Sequence, residues 1–117
     1  MANTLKDQLS RYREINISVT GRKSGRTISI PVWFVLEGTT LYLLPVQGSD
    51  TQSYKNVHKK PSVGVHVDGA KAELKVALTT DAAQVLAVVE KFRAKYGTNN
   101  VKKYYAKFDV AVLAQVA

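Results

Sequence analysis

Apolar and polar residues alternate through residues 15–20, where Ile15, Ile17 and Val19 are separated by Asn16, Ser18 and Thr20. A period of two puts every second side chain on one face, so this stretch predicts a first strand with one buried and one wet side. Residues 27–36 predict a second strand, and Glu37, Gly38, Thr39 and Thr40 supply the turn into a third over 41–46. Pro31 lies inside the second strand and has no N–H to give a ladder, so it marks an edge or a bulge. Residues 62–67 alternate through Val63, Val65 and Val67, turn at Asp68-Gly69, and return over 72–78 with Leu74, Val76 and Leu78.

Three stretches carry the longer helical period. Leu5, Leu9 and Tyr12 form a short stripe in residues 3–14, with basic neighbours that would give at most a weak peripheral contact with an anionic membrane. Ser49 and Gln52 have the spacing of a capping box, with Asp50 beside them, and predict a helix from there to Lys60, ended by Pro61. Thr79, Thr80 and Asp81 introduce a helix over 82–96 with Val85, Leu86, Val88, Val89 and Phe92 on one face, stopped by Gly97. A shorter helical stretch, 99–107, precedes a sixth strand over 109–116. Six short strands with flanking helices predict a mainly β, α+β fold: one antiparallel barrel spanning residues 1–117 as a single domain. No Gly-x-Gly-x-x-Gly turn occurs, and three strands follow one another without crossover helices, which argues against a parallel Rossmann sheet.

Composition narrows the chemistry. The 117 residues carry 17 Lys+Arg against 9 Asp+Glu, a formal charge of +8, which favours anionic partners. There is no cysteine, so thiolate catalysis, disulfides and cysteine zinc sites are excluded. No run approaches the ~18 apolar residues of a membrane span, and no signal-peptide core is present, so a cytoplasmic location is expected. His58 and His66 stand apart from any triad motif, His66 reading as a wet-face strand residue, and the acids are scattered. A chain without its own reactive side-chain constellation suits chemistry supplied by a coenzyme. The loop Gly21-Arg22-Lys23-Ser24-Gly25-Arg26 offers two glycines, three cations and clustered backbone N–H groups. It reads either as an anion-binding loop or as a solvated basic turn.

The run Val19 to Arg26, followed by Ile30-Pro31-Val32-Trp33-Phe34, Gly48-Ser49-Asp50 and Ser53-Tyr54-Lys55-Asn56-Val57, resembles the deazaflavin-dependent nitroreductases. These belong to the flavin/deazaflavin oxidoreductases of split β-barrel fold, the FMN-binding split-barrel type. The likeness covers about residues 17–68 and continues faintly to the last strand. It implies coenzyme F420 as hydride donor to a small electrophilic substrate of the nitroaromatic, quinone or enone class. It further implies Arg22, Lys23 and Ser24 at the phosphate, and Pro31, Val32 and Trp33 along the ring. Backbone groups of Leu44, Pro45, Val46 and Gln47 would meet the ring edge, with Gln52, Ser53, Tyr54 and Asn56 on the other side. Lys55, with Arg26, Lys59 and Lys60, would face the anionic tail, and Tyr104, rather than Tyr105, would donate a proton to the substrate. The chain departs from the family at Gln47, where lysine is frequent, and at Ile28, where a basic residue is frequent. Two alternatives stand beside this reading: an FMN-binding split-barrel oxidoreductase, and a non-catalytic barrel for an anionic ligand or nucleic acid. No nucleic-acid motif is present, so nucleic acid is not the expected partner; the chain is expected to be a monomer or a homodimer.

Overall fold

A computed structural model describes residues 14–21, 25–67 and 70–115. Among these are seven strands: β1 (Glu14–Thr20), β2 (Thr27–Trp33), β3 (Val35–Glu37), β4 (Thr40–Leu43), β5 (Ser62–Val67), β6 (Ala70–Thr79) and β7 (Ala111–Gln115). Every named pair is antiparallel, and the order is β2-β1-β5-β6-β7-β4-β3. The sheet curls into a half-barrel of split-barrel type with flanking helices. The predicted N-terminal helix and the Asp68-Gly69 turn lie outside the described residues.

The count is seven rather than six because the expected second strand breaks at Phe34. Its two halves, β2 and β3, then form the opposite ends of the sheet order. At the break, the Phe34 backbone loses its ladder partners and finds others. Its N–H donates to the Tyr96 hydroxyl (3.1 Å), and its carbonyl accepts from that same hydroxyl (2.9 Å) and from Lys95 Nζ (2.8 Å). A buried backbone without such partners would be costly, so these contacts make the break tenable.

The period of two sorts the sheet's side chains into two cores. On the inner face, Ile17, Phe34, Leu41, Val63, Val65 and Val112 pack together. The other face of β3, β4 and β7 presents Val35, Tyr42, Ala111 and Leu113 to α2 (Ala82–Tyr96) and α3 (Thr98–Tyr104), where Val88, Val89, Phe92 and Val101 close a second core. α2 is capped by Asp81, whose Oδ2 accepts from the Gln84 N–H (3.0 Å), and stops at Gly97, whose φ of 95° lies where glycine is favoured. α3 ends three residues sooner than its pattern suggested: Tyr105 turns to extended backbone and buries its ring in the second core.

α1 (Gln52–Lys59) also starts later than expected, and the capping box does not form. Ser49 is drawn instead to Asp109, which accepts from its N–H (2.9 Å) and its hydroxyl (2.6 Å). An ionised carboxylate is a stronger acceptor than a glutamine amide, so the long-range partner wins. A 3₁₀ turn (Gly48–Asp50) results, and the helix restarts after Thr51, whose Oγ1 accepts from the Gln47 N–H (2.8 Å). The Ser49 bonds, joined by Lys107, hold the Asp109 carboxyl below its ordinary pKa. Among the described residues no helix is long and apolar enough to cross a membrane.

Candidate functional site: an edge strand between a basic loop and an aromatic stack

Among the described residues β2 pairs with β1 alone, from Thr20↔Thr27 to Glu14↔Trp33, and no other described strand pairs with its second edge. Thr27, Ile28, Ser29 and Pro31 are exposed along it, and Pro31 at its centre cannot recruit another strand. At about 3.3 Å per residue the strand spans roughly 20 Å. At its start, the loop is closed by two backbone bonds, Gly21 N–H to Arg26 O (2.8 Å) and Gly25 N–H to Gly21 O (2.9 Å). Gly25 adopts φ 71°, which explains a glycine there. Arg22, Lys23 and Ser24 lie outside the described residues; Arg26 is exposed.

At the far end of β2, Trp33 is stacked on both faces. Tyr96 lies on one side (centroids 4.3 Å apart, 10° between planes) and Tyr104 on the other (4.4 Å, 26°). Tyr105 meets the same indole edge-on at 6.0 Å. Tyr104 is 36% exposed and Tyr105 only 4%, so of the two adjacent phenols Tyr104 reaches the surface. Burial, and then the Glu14 carboxylate, push the Tyr104 pKa above its ordinary value. Its phenol is therefore a neutral donor at pH 7.

The remaining candidates separate. Val32, Leu44, Pro45 and Tyr54 line an apolar cavity of about 40 Å³ inside the barrel. That volume is far below the ~300 Å³ at which ligand pockets begin. The backbone of the 44–47 segment is largely engaged within the chain: Pro45 O accepts from Gly48 N–H (3.1 Å), Val46 O from Ala106 N–H (2.7 Å), and Gln47 O from Asp50 N–H (3.1 Å). In α1, Tyr54 and Asn56 turn inward, whereas Gln52 and Lys55 are exposed; the Ser53 side chain lies outside the described residues. The structure thus brings Trp33 and Tyr104 together, collects Val32, Leu44, Pro45 and Tyr54 in the interior, and leaves Pro31, Gln47, Gln52 and Lys55 at the surface.

The family model for an "uncharacterized protein conserved in bacteria" (DUF2255) matches residues 6–112. The chain belongs to the DUF2255 family. No curated protein matches it. Solved structures share its fold. An F420-H2 dependent reductase (FDR-A) is 16% identical, with 88% of this chain and 94% of that one covered at a TM-score of 0.66. HutZ, the heme storage protein from Vibrio cholerae, is 12% identical over 97% of this chain and 87% of its own, at 0.73. A chain described as a domain-swapped dimer is 15% identical over 95% and 96%, at 0.69. At these identities the likeness establishes the fold.

Sequence reasoning missed several residues of this DUF2255 chain that shape the site. Tyr96 reads locally as the last residue of a helix, yet it lies one turn beyond Phe92 on the apolar face, which is the signal that it packs inward. Ser18 and His66 also meet on the outer sheet face, Oγ to Nε2 at 2.9 Å, with Ser29 Oγ 3.1 Å from Ser18 Oγ. His66, a strand residue on that outer face, is half-buried. No cluster of histidine and acid side chains able to hold a metal ion occurs among the described residues.

Proposed function

We propose that this chain is a coenzyme F420-dependent oxidoreductase that delivers a hydride to a small electrophilic substrate of the nitroaromatic, quinone or enone class. The observation that carries this reading is β2, an edge strand among the described residues, running from a basic loop to an aromatic stack with an exposed phenol. A strand of that length suits an elongated molecule with a phosphate at one end and a flat ring at the other. An edge strand offers the ring fresh backbone donors and acceptors, and Arg22, Lys23 and Arg26 suit the phosphate and anionic tail. The Ser24 hydroxyl adds a neutral donor, and Lys55 with Lys59 and Lys60 extends the positive field along α1.

When bound, the reduced coenzyme supplies the hydride. The residues of the chain bind, orient and move a proton. Trp33, held between two tyrosines, fixes the Tyr104 ring in place at the end of β2. Tyr104 donates a hydrogen bond to the substrate oxygen and passes it a proton as negative charge develops, with solvent restoring the phenol. Its raised pKa keeps that proton in place at neutral pH. We also take the protein to be cytoplasmic and homodimeric, the latter supported by the similar domain-swapped dimer.

The expected kinetic result is that the protein oxidises the reduced coenzyme when a quinone or nitroaromatic is supplied. Tyr104→Phe should lower kcat about 100-fold, within the range of general-acid contributions, with little change in coenzyme affinity. An unchanged kcat would remove Tyr104 from the mechanism. No turnover with any of the three substrate classes would count against the activity itself.

A further inference from the structure

Between α2, α3 and the segment that follows lies a pocket of about 470 Å³, lined by Arg93, Thr98, Val101, Lys102, Tyr105 and Phe108 among others. None of Trp33, Tyr96 or Tyr104 lines it, so it is a distinct opening that shares only the Tyr105 ring with the stack above, and its volume is within the range of small-molecule pockets. Three features give it a definite chemistry.

First, the lining carries two cations and no acid. Lys102 is exposed and makes no ion pair among the described residues, while Arg93 pairs through Nη1 with Glu90, one turn back on α2. Second, Phe108 is 37% exposed, an uncovered aromatic surface that a flat apolar ligand would shield from water. Third, Tyr105 lines the pocket with only 4% of its surface exposed, and its hydroxyl has no hydrogen-bond partner among the described residues. Buried polar groups are almost always paired, so a phenol with no partner among the described residues, set against a pocket, calls for one inside it.

We propose that this pocket is a binding site for a small aromatic carboxylate of one or two rings. The carboxylate meets Arg93 and Lys102, the ring lies against Phe108, and Tyr105 and Thr98 donate to oxygen. A cationic rim alone would accept any anion; the aromatic floor selects a planar apolar body. This site is independent of the proposed coenzyme site and stands whether or not F420 binds.

The test is a titration of the full-length ¹⁵N-labelled protein with 2-naphthoate, with 2-naphthylmethanol as the uncharged control, followed by amide NMR shifts. Saturable shifts are expected at Arg93, Thr98, Lys102 and Phe108, with the alcohol about tenfold weaker or more. Arg93→Gln/Lys102→Gln should weaken naphthoate about tenfold. Tyr105→Phe should keep the cooperative thermal transition and still bind several-fold more weakly, which separates a binding role from a packing one. Absence of saturation at millimolar ligand would overturn the proposal. So would equal binding of the alcohol, indifference to the charge variants, or shifts confined to residues 26–33.

Discussion

Gly48→Ala is expected to destabilise the protein by about 2.5–5 kcal/mol, a large share of a small domain's stability. Gly48 has φ 56°, and a Cβ there would lie 2.1 Å from Asp109 Oδ1 and 3.2 Å from its Cγ. The left-handed backbone alone costs a non-glycine residue about 1–2 kcal/mol. Displacing Asp109 also breaks its bonds to the Ser49 N–H and hydroxyl, and a hydrogen bond to a charged group contributes about 1.5–3 kcal/mol. Chemical denaturation of Gly48→Ala, Asp109→Ala and the double variant checks this. The two changes should be strongly non-additive, because Asp109→Ala removes the atom that the new methyl strikes. The pH dependence has a definite sign. Asp109 has a lowered pKa in the folded state, so its contribution is complete above the ordinary carboxylate pKa. It is lost as pH falls through the lowered value. Gly48→Ala should therefore lie closest to wild type at low pH. A variant within about 0.5 kcal/mol of wild type at pH 7, the range of neutral surface changes, would contradict the packing described.

Tyr96→Ala is expected to cost about 3–5 kcal/mol through the cavity left in the second core, and more through the backbone it abandons. Tyr96→Phe separates these two effects. The ring, its stacking on Trp33 and its packing on Phe92 remain, but the Phe34 N–H loses its acceptor. Phe34 is 1% exposed, so the orphaned donor should cost about 1–3 kcal/mol. The carbonyl suffers less, because Lys95 Nζ still donates to it. Trp33 is the protein's one tryptophan, which makes its fluorescence a direct report on the stack. Emission should stay near wild type in Tyr96→Phe and shift to the red in Tyr96→Ala as the indole gains water. Equal stability of Tyr96→Phe and wild type would show that the phenol does not hold the break in the sheet.

Much of the fold was legible because it is locally encoded. Ile15, Ile17 and Val19 lie inside β1 as their alternation required, and Val63 and Val65 do the same in β5. Asp81 and Gly97 bound α2 because capping acts within a few residues. The break at Phe34 was not legible. Residues 27–36 contain no turn signal, and the groups that satisfy Phe34 come from the end of α2. The capping box failed for the same reason: Ser49 and Gln52 have the right spacing, but Asp109 outcompetes them from 60 residues away. The candidate site shows a similar division. The basic loop is contiguous in sequence, so its charge was visible at once, whereas the Trp33, Tyr96 and Tyr104 stack is assembled from three segments that only the folded half-barrel brings together. Tyr104 and Tyr105 are neighbours of one residue type, and their opposite exposure follows from the end of α3.

The central claim is most directly tested by titrating the ligand-free protein with coenzyme F420, following coenzyme and Trp33 fluorescence at low and moderate salt, with FMN in parallel. The account predicts saturable binding that favours F420 over FMN, weakens as salt rises, and falls about tenfold or more in Arg22→Ala/Lys23→Ala, since several charge-assisted contacts are lost together. Absence of F420 binding, or binding indifferent to salt and to the loop substitutions, would contradict it.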